Sequence, residues 1–146
     1  MPIEYRTSLD LDLVYARWWG AVDLDQIRVN FVTYLADRNY RPGRRELIDL
    51  SGVTSLDLDF ERIRLILRDV NDQSPGQPVR TRTVLWAPQD EAYATGRMYQ
   101  QLADYAGGIS VAVYRDEPEA LAVFDLPHAC MADLVRDGRF LLPDLG

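Results

Sequence analysis

The order in which two hydrophobic periodicities alternate along this chain constrains its fold more than any other feature. Ile3, Tyr5, Thr7 and Leu9 alternate with Glu4, Arg6 and Ser8, the period-2 pattern of a half-exposed strand. A turn at Asp10 to Asp12 leads into a second such run, Leu13 to Trp19, so the two are expected to form an antiparallel hairpin that Gly20 ends. Asp23 is a good helix N-cap with Gln26 three residues on. Leu24, Ile27, Phe31 and Leu35 then recur at helical spacing down to the breaker Asn39-Tyr40-Arg41-Pro42-Gly43. Arg45 to Leu50 reads as a third strand. Phe60, Ile63, Leu67 and Val70 trace the apolar stripe of a second helix, opposed by Glu61, Arg62, Arg64 and Arg68 and stopped by Ser74-Pro75-Gly76-Gln77-Pro78. Val79 to Ala87 is a fourth strand, and Pro88-Gln89-Asp90 caps a third helix running to Ala106. Gly107-Gly108 releases a fifth strand, Ile109 to Tyr114, before Asp116 or Glu117 starts a short helix with Pro118 in its first turn.

The predicted order is β-β-α-β-α-β-α-β-α. Strands that alternate with helices imply right-handed parallel crossovers, so the fold class is α/β with a single mixed, mainly parallel sheet and an antiparallel hairpin at its N-terminal edge. We expect one domain over residues 1–126. Residues 127–146 form a C-terminal extension, with a short helix at His128 to Val135 and an apolar Phe140-Leu141-Leu142-Pro143. That extension is expected to dock on the domain or on a partner subunit.

Charge narrows the partners. With 16 Lys and Arg against 23 Asp and Glu the net charge is −7, which argues against nucleic acid, since affinity for a phosphate backbone comes chiefly from basic side chains. Only Arg41 to Arg45 and Arg80 to Arg82 are locally basic. Cys130 is the sole cysteine, so no intramolecular disulfide forms and a cytoplasmic location is expected. The N-terminal residues show no export pattern, and no run approaches the roughly 18 apolar residues of a membrane span.

Glu46 to Phe60 carries the most chemistry. It reads as an apolar strand broken at Ser51-Gly52, a tight loop, and two aspartates, Asp57 and Asp59, opening the helix that follows. Asp49-Leu50-Ser51-Gly52-Val53-Thr54 with Asp57 at a helix start resembles the signature of the STAS-like domains, the SpoIIAA-like anti-sigma-factor antagonist family. There a strand ends in Asp-Leu-Ser and a helix opens with Asp-Ser-Ser/Thr-Gly. The likeness covers residues 1 to about 125. In that family a Ser or Thr just after the aspartate accepts a phosphate and so controls partner binding. Leu58, Asp59 and Phe60 stand in this chain where the family has its Ser, Ser/Thr and Gly. The resemblance therefore implies a divergent, non-catalytic protein-binding or regulatory module, with Asp49, Ser51, Asp57 and Asp59 as its recognition residues. Asp59 has two readings: a plain helix cap, which its residue type favours, or a fixed negative charge imitating the phosphorylated state. Ser51 is either a modification site or a residue bonding its own turn.

Other chemistries find less support. His128 is the only histidine, and on a helix it and Cys130 point to different faces, against a nucleophilic pair. Asp10, Asp12, Asp23, Asp25, Asp57 and Asp59 sit where turns and helix starts favour aspartate anyway, so no metal or cofactor is expected. No glycine cluster matches a phosphate- or dinucleotide-binding loop. Trp18 and Trp19 must point to opposite faces of their strand, which suggests cover from the C-terminal tail, a second subunit in a homodimer, or an apolar ligand. A second reading is thus a small-molecule or lipid-binding domain of Sec14-like character, with Leu65, Ile66 and Leu67 lining a pocket. A third, an enzyme using carboxylates near Asp57, lacks a second catalytic group.

Overall fold

A computed structural model of the chain describes residues 2–72 and 81–146. Its elements are β1 (Ile3–Ser8), β2 (Leu13–Asp23), α1 (Leu24–Ala36), β3 (Arg45–Asp57), α2 (Phe60–Asp72), β4 (Thr81–Trp86), α3 (Asp90–Ala106), β5 (Ile109–Tyr114), α4 (Glu117–Ala122) and α5 (Met131–Asp137). The breaker expected at Ser74 to Pro78, together with Val79 and Arg80, lies outside the described residues.

The five strands form one sheet in the order β1-β2-β3-β4-β5. β1 and β2 run antiparallel and every later neighbour is parallel, the mixed α/β arrangement expected from the alternating pattern. Because successive strand residues point to opposite faces, the sheet has two apolar layers. On one face Val22, Leu50, Leu85, Val111 and Val113 pack against Ile27 of α1, Ile63, Ile66 and Leu67 of α2, and Ala92 and Ala103 of α3. On the other, Leu13, Tyr15, Leu47 and Val84 pack against Ala120 and Leu121 of α4 and Met131 and Leu134 of α5.

Local signals set several boundaries. The Asp23 carboxylate accepts from the Gln26 amide at 3.0 Å, while the Gln26 side chain accepts from the Asp23 amide at 2.9 Å, a complete capping box for α1. Asp116 caps α4 through the Glu119 amide at 3.0 Å, with Pro118 in the first turn.

Three boundaries differ from the sequence reading. β2 does not end at Gly20 but runs on to Asp23, and β3 is not broken at Ser51-Gly52 but continues to Asp57. The two strands pair from Leu13 opposite Arg45 to Asp23 opposite Asp57, with register shifts at Arg17/Trp19 and Gly20/Ala21. Gly20 absorbs one of these with φ +68°, a left-handed conformation. Gly52 serves close approach instead of turning: a Cβ there would stand 3.1 Å from Trp19 Cβ and 3.3 Å from the Trp18 carbonyl oxygen. A glycine inside a strand marks such a contact as readily as a turn. Finally, α5 starts at Met131 and not at His128.

The last residues lie along β1. Thr7 and Leu141 exchange backbone hydrogen bonds of 3.0 and 2.8 Å, and the Arg38 amide donates to the Asp144 carbonyl at 2.8 Å. Phe140 sets its ring against Tyr15 with centroids 6.1 Å apart.

Candidate functional site

The residues expected to mark a recognition site do not converge. Asp49 is buried on the α4–α5 face, where one carboxylate oxygen accepts from the Tyr15 hydroxyl at 2.7 Å. The other accepts from the Ser51 amide at 2.9 Å and the Ser51 hydroxyl at 2.6 Å. Asp57 and Asp59 were expected to face the first amides of the helix together. Only Asp59 does so, accepting from the Arg62 amide at 2.9 Å. Asp57 ends β3 in solvent, 4.0 Å from the Arg62 guanidinium, which lies 3.0 Å from Asp59. Phe60, expected on the buried stripe of α2, is 50% exposed between these groups, and Ile63, Ile66 and Leu67 form the buried side instead.

The remaining carboxylates are dispersed. Asp12 pairs with Arg41 and Arg44, Asp10 with Arg139, and Asp23 caps α1. Among the described residues no three His, Cys, Asp or Glu side chains come together as metal ligands would, and no hydrogen bond joins His128 to Cys130.

A cavity of about 160 Å³ lies between the sheet and helices α1, α2 and α3. Trp18, Ile27, Tyr34, Ile48, Ile66 and Tyr99 form much of its apolar wall, and Arg28 of α1 pairs with Asp69 of α2 at 3.0 Å along its rim. Strand alternation dictates which polar groups enter it. Glu46, Ile48 and Leu50 share one face of β3, and Glu46 stands opposite Thr83 in the parallel register with β4. No hydrogen bond or ion pair reaches the Glu46 carboxylate among the described residues. Glu46 is half-buried in the cavity wall, and the desolvation of its carboxyl pushes it up to about 7. The Tyr34 and Tyr99 hydroxyls are pushed upward as well, by burial first and then by the charge of Glu46.

Three further polar atoms of cavity-lining residues are buried without a partner: Thr83 Oγ1, Trp18 Nε1 and Arg44 Nε. The rest of the Arg44 guanidinium is committed, with Nη1 2.7 Å from Asp12 and Nη2 donating to the Asn39 carbonyl at 3.1 Å. Of Leu65, Ile66 and Leu67, expected to line a pocket, Ile66 does so, Leu65 does not, and Leu67 is buried in the adjoining core. Sequence reasoning missed Glu46, Thr83, Arg44 and Tyr34. One signal was available: Glu46 places a charge on the same period-2 face as Ile48 and Leu50.

A wider groove of about 590 Å³ opens on the other face, lined in part by Arg17, Asp49, Trp86 and Glu117. Its buried acid is already bonded through Tyr15, and Glu117 accepts from the Met131 amide at 2.8 Å.

No protein-family model matches this sequence, and no curated protein does. Among solved structures it is similar to an uncharacterized protein of the DUF3478 family, with a SpoIIAA-like fold, from Shewanella loihica PV-4. Identity is 16%, the match covers 84% of this chain and 91% of that one, and the TM-score is 0.50. At that identity the likeness establishes the fold, which is SpoIIAA-like as the residues around Asp49 led us to expect. Among the described residues no helix is long and apolar enough to cross a membrane.

Proposed function

We propose that this SpoIIAA-like protein is a non-catalytic binding module that holds a small, largely apolar molecule in the cavity between its sheet and α1–α3. One observation carries the reading: a mainly apolar cavity whose lining residues include the half-buried Glu46 carboxylate and polar atoms that no protein group bonds. Nearly all buried polar groups in folded proteins are hydrogen-bonded, so unpartnered ones around open space are what a ligand would satisfy. Water fills such sites when small and polar enough, but the walls here are mainly aromatic and aliphatic.

Native mass spectrometry of protein purified from its host is expected to show a retained small molecule. Ala16, a buried residue of the cavity wall, offers the control. Ala16→Leu fills the space and is expected to abolish retention while the fold, followed by circular dichroism, survives. Absence of any retained molecule, together with no thermal stabilisation by a panel of small apolar compounds, would overturn the reading.

The exposed Phe60, flanked by solvent-facing Asp57 and Asp59, favours a second role, a protein-contact surface at the β3–α2 junction. In this reading Asp57 and Asp59 make contact, while Asp49 and Ser51 brace the strand behind them. Phe60→Ser is expected to release a co-purifying cytoplasmic partner without altering stability. Residues 1–126 then act as the binding unit, with 127–146 as its extension, in a homodimer that light scattering at micromolar concentration would detect.

A further inference from the structure

We infer that the cavity selects an amine: a compact apolar body carrying one positively charged nitrogen that rests against the Glu46 carboxylate. This rests on the cavity being a binding site, and it names the chemistry that the site would recognise. The cavity wall includes a half-buried carboxylate with which no cation pairs among the described residues. Arg44, just ahead of β3 and two residues before Glu46, is committed to Asp12 and the Asn39 carbonyl. Arg28 is held by Asp69 at 3.0 Å. A carboxylate drawn partly out of water is tolerated when a cation or donors offset its lost hydration, and among the described residues none bonds Glu46.

The surroundings suit a charged nitrogen. Thr83, directly across from Glu46 in the strand register, carries a buried hydroxyl with no partner, a second acceptor for an ammonium proton. Trp18, Tyr34 and Tyr99 line the same space, and aromatic faces attract cations through their negative quadrupole. An anion would meet Glu46, while the lining arginines Arg28, Arg41 and Arg44 are already engaged by Asp69 and Asp12. Size sets the other limit: about 160 Å³ is close to the roughly 150 Å³ engineered cavity that accepts benzene, so the body is of that size and not a long acyl chain.

The test compares three probes of one shape, benzylamine, benzyl alcohol and toluene, by calorimetric titration of the full chain at neutral pH. Benzylamine is expected to bind about tenfold or more tightly than either neutral probe. Glu46→Gln, which keeps the side-chain volume, is expected to remove that preference while toluene affinity stays within about twofold. Thr83→Val is expected to weaken benzylamine alone and by less. Equal binding of all three probes to the wild type, or an unchanged amine preference in Glu46→Gln, would overturn the inference and leave the cavity reading standing. Failure of toluene, benzyl alcohol and benzylamine alike would overturn both.

Discussion

Two acids on opposite faces of β3, Asp49 and Glu46, are satisfied in opposite ways. On the α4–α5 face the polar groups are closed into pairs: Tyr15 donates to Asp49, Ser51 donates twice to the same carboxylate, and the Ser8 hydroxyl donates to the Gly138 carbonyl at 2.6 Å. On the α1–α3 face Glu46 and Thr83 stand beside empty space without partners. One strand, β3, supplies both acids, since Leu47 and Asp49 alternate with Glu46 and Ile48. A buried polar residue therefore reads as structure where its bonds are complete. It reads as a binding group where they are missing and space remains.

That contrast can be broken by mutation. The largest effect is expected from Leu47→Ala on the packed face, where the side chain is fully buried. The loss should be about 2–5 kcal/mol in urea unfolding, and a loss below about 1 kcal/mol would mean that this face is not close-packed.

Next comes the acid in the cavity, where the sign reverses. The folded carboxyl of Glu46 is raised to about 7 from an ordinary 4.5, so between these values the folded state holds a proton that the unfolded chain releases. Stability from this group is complete at lower pH and falls as pH rises from about 4.5 to about 7, by at most about 3 kcal/mol. Glu46→Gln is expected to flatten that slope and to be the more stable protein at pH 8. Equal pH profiles for the two proteins, measured by thermal unfolding, would show Glu46 to be solvated.

Asp49→Ala should act in the opposite direction on the other face, stranding the Tyr15 and Ser51 donors at a loss of about 1–3 kcal/mol. The smallest effects belong to the β3–α2 junction. Asp59→Ala removes a helix cap and should cost about 1 kcal/mol, while Asp57→Ala, exposed and 4.0 Å from Arg62, should change stability by less than about 0.5 kcal/mol. Equal losses at the two positions would contradict the assignment of the cap to Asp59 alone.

Much of the architecture was legible because it rests on local chemistry. Asp23 with Gln26, Pro118 behind Asp116, and the alternation of Ile3, Tyr5 and Thr7 each specify an element within a few residues. What failed was long-range in origin. Ser51-Gly52 looks like a turn in one dimension, yet Gly52 is small because Trp19 of the neighbouring strand passes 3.1 Å from where its Cβ would be. The cavity was illegible for the same reason. Trp18, Tyr34, Glu46, Thr83 and Tyr99 come from β2, α1, β3, β4 and α3, and nothing in their spacing announces that they meet. Trp18 left a trace as an aromatic in want of cover, and Glu46 as an acid on an apolar strand face, but whether such an acid has a partner is decided by residues distant in the chain.

The bridge between Thr7 and Leu141 bears on how the molecule meets other copies of itself. β1 ends the sheet on that side, and an uncovered terminal strand is a template for another chain's backbone. Leu141 already occupies the donor and acceptor of Thr7, so a visitor seeking to extend the sheet past β1 has to peel the C-terminus away first. Pairing at the Thr7 end of β1 is thereby disfavoured.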